Sequence, residues 1–414
     1  MKKYLLAMTL TAMVILLGAL PTNKSLGYGE SYMMRARGVE ALYWNPANLS
    51  SKYGDLIIPA GNSSFSIMNN SLDLSTYNDF VSLDYLTDAD KERFLSKIDR
   101  RLTVDAEGHA ILFGMTRGSM AYSAGMHYYT RAAISKKYLT LLFYGNEEEE
   151  YTFHKNNNNV SGIAFMDLTA GVGDIIIKFD DTKIPKIRFG YSGSILIGAA
   201  DVSTKDYTGF FSSNLDGVSA VQDITLKSGI GGIGFKGMVG VSSEPLPNLQ
   251  LGLTLDNLLG FIKWNIKTAN LNYQVVVDSV YVSNLSEDFY TESNTSTGTS
   301  SYSTSLPPEL RFGSLYKYRN ASVSLDWIQG FSNSLLTSKR GRLASSVEYL
   351  PVPYLPLSMG VATGNSEYPW RASYGIGFRN RVMEFGIGFQ CFESLIPTYS
   401  TKGISLSSHI SFRI

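Results

Sequence analysis

The 414-residue sequence has one cysteine, four histidines and no net charge. After residue 27 it also lacks any apolar run of the roughly 20 residues that a membrane helix needs. The lone Cys391 excludes intramolecular disulfides and cysteine-based zinc or iron–sulfur centres. His109, His127, His154 and His409 are scattered and leave little for a His-rich metal site. With 36 basic against 36 acidic side chains there is no electrostatic footprint for nucleic acid, so no nucleic-acid partner is expected. Charged residues make up 17%, well below the roughly 25% of an average soluble domain. Gly231-Gly232-Ile233-Gly234 has no Walker lysine or Ser/Thr pair and reads as strand glycine on a crowded inner face. His127 and His409 fall on polar strand faces, but no nucleophile-elbow motif accompanies them. Neither an enzyme nor a cofactor is expected.

What is abundant is aromatic and small: 26 Tyr, 21 Phe and 38 Gly. Glycine costs a helix roughly 1 kcal/mol per site against alanine, whereas aromatics are enriched in strands. Period-two alternation follows along most of the chain. Ile404, Leu406, Ile410, Phe412 and Ile414 share one strand face, and Ser405, Ser407, His409, Ser411 and Arg413 the other. Phe385, Ile387, Phe389 and Cys391 oppose Glu384, Gly386, Gly388 and Gln390. Leu249, Leu251, Leu253 and Leu255 oppose Gln250, Gly252, Thr254 and Asp256; Met120, Tyr122 and Met126 oppose Ala121, Ser123 and His127. Segments of about 9–11 residues match a tilted crossing of a bilayer. Polar faces thick with Gly and Ser yet carrying isolated Arg, Glu and Asp suit a crowded lumen. The expected class is therefore all-β, a closed antiparallel transmembrane β-barrel, in preference to a soluble sandwich or propeller.

Residues 1–27 read as a cleaved secretory signal: Lys2 and Lys3, an apolar stretch from Leu5 to Leu20, then Ser25 and Gly27 at the −3 and −1 positions. Ala19 offers an earlier cut, and an uncleaved anchor is the rival reading. This signal implies Sec export. Residues 87–101 read as a small rim helix capped by Thr87, with Phe94, Leu95 and Ile98 as its apolar stripe. Residues 145–159, with Glu147–Glu150, read as a solvated loop tip, and residues 284–305 as a long mobile loop. Trp44, Trp264, Trp327 and Trp370 are expected in an interface girdle. Arg311, Arg371, Arg379, Glu309, Glu348 and Glu384 are lumen charges expected to pair across neighbouring strands.

Ala36-Arg37-Gly38-Val39-Glu40-Ala41-Leu42-Tyr43-Trp44-Asn45-Pro46-Ala47-Asn48-Leu49 resembles the N-terminal signature of FadL-like outer-membrane barrels, including their PorV-type relatives. Asn48 stands where Gly is usual. The middle piece Asn257–Trp264 and the chain from Asp326 to the end resemble more closely an uncharacterised outer-membrane barrel family of Bacteroidetes-like bacteria. The resemblance implies about fourteen strands and a hatch inside the barrel, here residues 28–54, followed by the barrel over 55–414. It marks Trp44, Asn45, Pro46 and Ala47 as the hatch motif. It further implies residence in the outer membrane of a Gram-negative-type bacterium, with outer-membrane lipid and, during insertion, the barrel-assembly machinery as partners. A passive channel for hydrophobic or amphipathic small molecules such as fatty acids is the leading function, with an apolar cavity near the hatch and a lateral opening where a strand kinks. A non-transporting scaffold, or a PorV-like part of type IX secretion, is the alternative.

Overall fold

The structure is a computed structural model that describes residues 24–50, 54–57, 62–83, 85–146, 150–177, 185–214, 217–280 and 290–413. The leader as far as residue 23 and the acidic residues Glu147–Glu149 lie outside the described residues.

The first strands are β1 (Asp55–Ile57), β2 (Ser63–Asn69), β3 (Arg101–Arg117), β4 (Met120–Ser135), β5 (Tyr151–His154), β6 (Asn159–Ile177), β7 (Ile187–Asn214), β8 (Gly217–Leu246) and β9 (Leu249–Val280). They are followed by β10 (Tyr290–Gly298), β11 (Tyr302–Ser305), β12 (Glu309–Tyr318), β13 (Ala321–Gly330) and β14 (Arg342–Tyr349). The last are β15 (Leu357–Thr363), β16 (Trp370–Arg379), β17 (Met383–Phe392) and β18 (Gly403–Arg413). All pairings are antiparallel. Three positions in the wall are built from consecutive pieces: β1 with β2 against β18, β5 with β6 against β7, and β10, β11 and β12 against β9. Counted by position, the sheet is a ring of 14 strands closed where β18 meets β1 and β2.

The alternation read from the sequence places its two faces as a membrane barrel requires. Ser324, Asp326, Ser346, Ser373 and Ser405 are buried toward the axis, while Val323, Leu325, Val347, Ile376, Ile387 and Leu406 stand exposed on the outside. An outer wall of large apolar side chains around a polar interior is stable in lipid and not in water. Short turns at Gly118-Ser119, Pro247-Asn248 and Arg319-Asn320 gather at one end, and the helices lie at the other.

The helix expected over 87–101 forms as Asp88–Ser96, with Thr87 and Asp90 making a reciprocal capping box. It stops early because Arg101 already opens β3. Two more helices, Leu74–Val81 and Lys136–Tyr144, lack the acidic first turn and basic last turn that mark Asp88–Ser96 in the sequence. The loop expected at 284–305 is corrected: Tyr290–Gly298 and Tyr302–Ser305 are strands, recruited by the very long β9 rather than by a hydrophobic pattern of their own. Residues 145–159 likewise contain β5, whose Tyr151 and Phe153 pack with Tyr207. Trp264 is not in a girdle; it is fully buried among Phe165, Leu196, Ile262 and Leu306, and its Nε1 donates to Thr304 at 2.9 Å.

Candidate functional site

The N-terminal segment lies inside the ring as three short helical pieces. Lys24–Tyr28 is the first, Gly38–Glu40 running into Ala41–Trp44 the second, and Pro46–Asn48 the third. Asn45 starts the last turn. Its side-chain oxygen accepts from the Ala47 amide at 3.0 Å, and its side-chain nitrogen donates to the Val241 carbonyl at 3.1 Å. Pro46 sits at the first helical position, where its missing N–H costs nothing. The wall accommodates this turn with glycine: a Cβ at Gly173 or Gly190 would collide with the Pro46 backbone. Asn48 donates to the Met33 carbonyl at 2.9 Å and so ties the two halves of the segment together. Trp44 lies edge-on to Tyr32, with the Arg311 guanidinium 5.2 Å from its ring centre.

This hatch is fastened around its circumference. Ser358 donates to the Gly27 carbonyl at 2.7 Å, and the Tyr28 hydroxyl to Glu348 at 2.5 Å. The Met33 amide donates to Asp326 at 2.8 Å, and Arg35 to Ser322 at 2.7 Å and Ser324 at 3.0 Å. On the opposite wall Tyr43 bonds to Ser123 at 2.7 Å and donates to Asp167 at 3.0 Å. Arg311 donates to the Tyr43 carbonyl at 3.0 Å.

The lumen charges named from the sequence are paired, though not only across strands. Arg311 pairs with Glu309 at 2.7 Å and Asp256 at 3.1 Å, and Arg379 with Glu384 at 2.9 Å. Arg371, together with Arg342, instead reaches Glu30 of the hatch. Lys24 of the hatch lies 3.6 Å from Glu384 and 3.5 Å from Glu40. Burial pushes the Glu40 carboxyl above its usual range, against the pull of Lys24 and the Tyr32 hydroxyl at 2.7 Å. Burial also works against the Lys24 ammonium, but Glu384 and Glu40 outweigh it and hold the group above its ordinary value. Strand periodicity cannot pair an irregular segment with a wall, so these hatch partners left no sequence signal.

The hatch divides the lumen. Toward the end that carries the helices lies an upper cavity of about 520 Å³ that includes Tyr43, Trp44, Glu107, His109, Phe165 and Lys236 in its lining. Toward the short-turn end lies a second, of about 320 Å³, lined by Lys24, Tyr32, Arg35 and His409 among others. Glu40 borders both. A chain of polar groups runs from the upper cavity to the hatch: His109 Nδ1 lies 3.0 Å from His127 Nδ1, and His127 Nε2 lies 2.6 Å from Asp167, which accepts from Tyr43. His109 and His127 are direct cross-strand partners, so the period-two rule could have found them. Ser123 bonds Tyr43 rather than either imidazole, so the chain has the form of a structural relay and not of a nucleophilic triad.

Beside this cavity the ladder is short among the described residues. Among the described residues β2 pairs with β3 only through Asn69 and Val104, while β3 carries a bulge between Ile111 and Phe113. The upper cavity meets both faces of β3 at this seam, the lumenal Glu107 and His109 and the outward Ala106 and Ala110, together with Met68 of β2. Bulges re-aim a strand and interrupt pairing in this manner.

No protein-family model and no curated protein matches the sequence. Solved structures do share its outline. A deletion mutant of the monoaromatic hydrocarbon channel TodX matches at 10% identity and TM-score 0.48, covering 94% of this chain and 99% of that one. A FadL homologue of Pseudomonas aeruginosa matches at 11% and 0.48, covering 95% and 98%. The toluene transporter TbuX of Ralstonia pickettii matches at 10% and 0.44, covering 91% and 94%. Likeness at this distance assigns no cargo. What the structure itself gives is an antiparallel ring of 14 strands closed around the N-terminal segment.

Proposed function

We propose that the protein is a passive channel for amphipathic small molecules in the outer membrane of a Gram-negative-type bacterium, reached by Sec export, with residues 28–54 and the preceding turn from Lys24 as its plug. The observation that carries this reading is the upper cavity, whose lining reaches the β2–β3 seam through Met68 and both faces of β3. Its lining is mixed rather than apolar, a correction to the expectation of a greasy cavity. Phe165, Leu306, Ile328, Leu335 and Leu336 supply apolar wall, while Arg101, Arg131 and Arg311 are held in ion pairs. Glu107 and Lys236 line the same space and make no ion pair among the described residues. A molecule with both an apolar body and a polar end suits such a wall better than a pure hydrocarbon.

The test is extraction in mild detergent without added ligand, then mass spectrometry of what co-purifies. A stoichiometric amphiphile supports the channel and identifies its cargo class. A barrel that comes out empty, refuses offered amphiphiles and carries another protein instead would move the reading to a scaffold such as a PorV-like secretion component.

A further inference from the structure

The helix Leu74–Val81 is apolar on two adjacent sides. Phe80 turns into a small core with Phe94, Leu95, Ile98 and Leu139, and Thr76 is buried beside it. Leu74, Tyr77 and Val81, one helical stripe at i, i+3 and i+7, are exposed, with Tyr77 at 54% and Val81 at 63%. Ser75, Asn78 and Asp79 occupy the remaining arc. A helix bounded by water would show polar residues wherever it leaves the core.

The position of this helix explains the second apolar side. Its core includes Leu102 and Ile134, which are cross-strand partners on the outer face of β3 and β4. That face is the one on which Tyr122 is exposed, because β4 keeps an unbroken register with β6 from Met120 to Ala133. The helix therefore packs against the outside of the ring and not over its mouth. The loop between β17 and β18 does the same. The Tyr374 hydroxyl, on the outer face of β16, donates to the Leu395 carbonyl. Ala372 and Cys391, outward-facing by register, are fully buried where the strands approach this loop. Loop and helix are joined: the Leu74 amide donates to the Thr401 carbonyl at 3.0 Å and the Ser75 amide to Tyr399 at 2.9 Å. Leu395, Ile396 and Tyr399 are also exposed, Tyr399 at 69%.

We propose that Leu74–Val81 and the Leu395–Tyr399 loop form a collar seated in the outer leaflet, at the boundary between headgroups and acyl chains. Two observations select lipid as the occupant. The patch continues the apolar outer wall of β2, β16 and β18, whose Phe65, Ile67, Ile376 and Leu406 lie below it. Its chemistry is that of an interface belt, apolar side chains mixed with tyrosines whose hydroxyls remain wet. The nearby charges are turned to each other, Lys97 to Asp73 at 3.3 Å and Lys402 to Glu393 at 2.9 Å, which leaves the stripe itself uncharged. The collar borders the seam between β2 and β3, so it lies where a molecule leaving the wall would meet the membrane.

This inference rests on the ring spanning a membrane, and the test separates the two. Nitroxide labels are placed singly at Tyr77→Cys, Tyr399→Cys, Ser75→Cys and Ile387→Cys in the full barrel, reconstituted into phosphatidylcholine–phosphatidylglycerol vesicles. Native Cys391 is fully buried and stays unlabelled. Collision with oxygen, which partitions into lipid, is compared with collision with a water-soluble nickel chelate. The collar predicts that 77 and 399 follow the lipid-facing Ile387 in favouring oxygen and that 75 favours nickel. Nickel preference at 77 and 399, with 387 still in lipid, overturns the collar. Shielding from both reagents with spin–spin broadening overturns it in favour of a second copy of the chain. Nickel preference at 387 itself overturns the membrane barrel.

Discussion

Arg311 of the wall donates through Nη1 to the main-chain carbonyl of Tyr43 at 3.0 Å, so a strand guanidinium grips the hatch by its backbone. The same side chain neutralises Glu309 and Asp256 and covers the Trp44 ring. One residue thus joins an electrostatic cluster in the ring to the position of the plug. Removing one partner of a buried ion cluster costs far more than the cluster adds, because the remaining charges are left uncompensated.

Arg311→Met is expected to lower stability by about 3–5 kcal/mol, the usual cost of orphaning buried charge. That loss should appear first as a loosened hatch. Single-channel recording in planar bilayers should show a higher and noisier conductance than the parent protein. An unchanged conductance in a correctly folded barrel would show that Arg311 does not hold the plug.

Gly190→Val places a side chain against Pro46, whereas Gly193→Val meets only the Phe235 ring at ordinary van der Waals distance. Overpacking costs about 1–3 kcal/mol, here borne by the hatch turn. Trypsin should then cleave at Arg35 or Arg37 in the first variant and leave the second as resistant as the parent. Equal resistance in both would count against the seat described for Pro46.

Glu367, in the loop between β15 and β16, gives a pH dependence. Burial pushes its carboxyl up, but the hydrogen bond from Arg101 at 2.6 Å outweighs this, with Asn70 adding a second at 2.7 Å, and the group is held below its ordinary value. A depressed carboxyl stabilises the folded form fully above the ordinary glutamate range and loses that contribution as pH falls through the depressed value. The loop should therefore stay docked at neutral pH and release only in acid. A spin label at Ser366 should sharpen across that acid window, and Glu367→Gln should remove the transition.

The mature chain is expected to begin ahead of Lys24. A cut after Gly27 would discard Lys24, which pairs with Glu40 and Glu384, and Gly27, which accepts from Ser358. Intact-mass measurement of the membrane form decides the matter. A chain beginning at Tyr28 would mean that these contacts are absent from the working protein, and Ala19 would then lose its claim as the earlier cut.

The wall was legible in the sequence because lipid and lumen impose opposite demands on alternate residues. That rule placed Val323 against Ser324 and Ile387 against Gly388 with no knowledge of the ring. The hatch motif was legible only through resemblance, since Trp44 to Ala47 have no periodicity. Its fastenings were hidden because Tyr28–Glu348 and Met33–Asp326 join residues about 300 positions apart by geometry alone. β10 was hidden for a different reason: Thr-Glu-Ser-Asn-Thr-Ser has no apolar face, and it is a strand because β9 offers it a ladder.

The circumferential seat of the hatch constrains the order of events during assembly. Lys24 to Asn48 leave the ribosome before any of the strands that hold them, yet Asp326, Glu348, Ser358 and Arg371 are supplied near the other end of the chain. Contacts so distant in sequence form slowly, and none of these can form before β13 to β16 have been made. A segment near the start of the chain therefore takes its seat on partners that are made near its end.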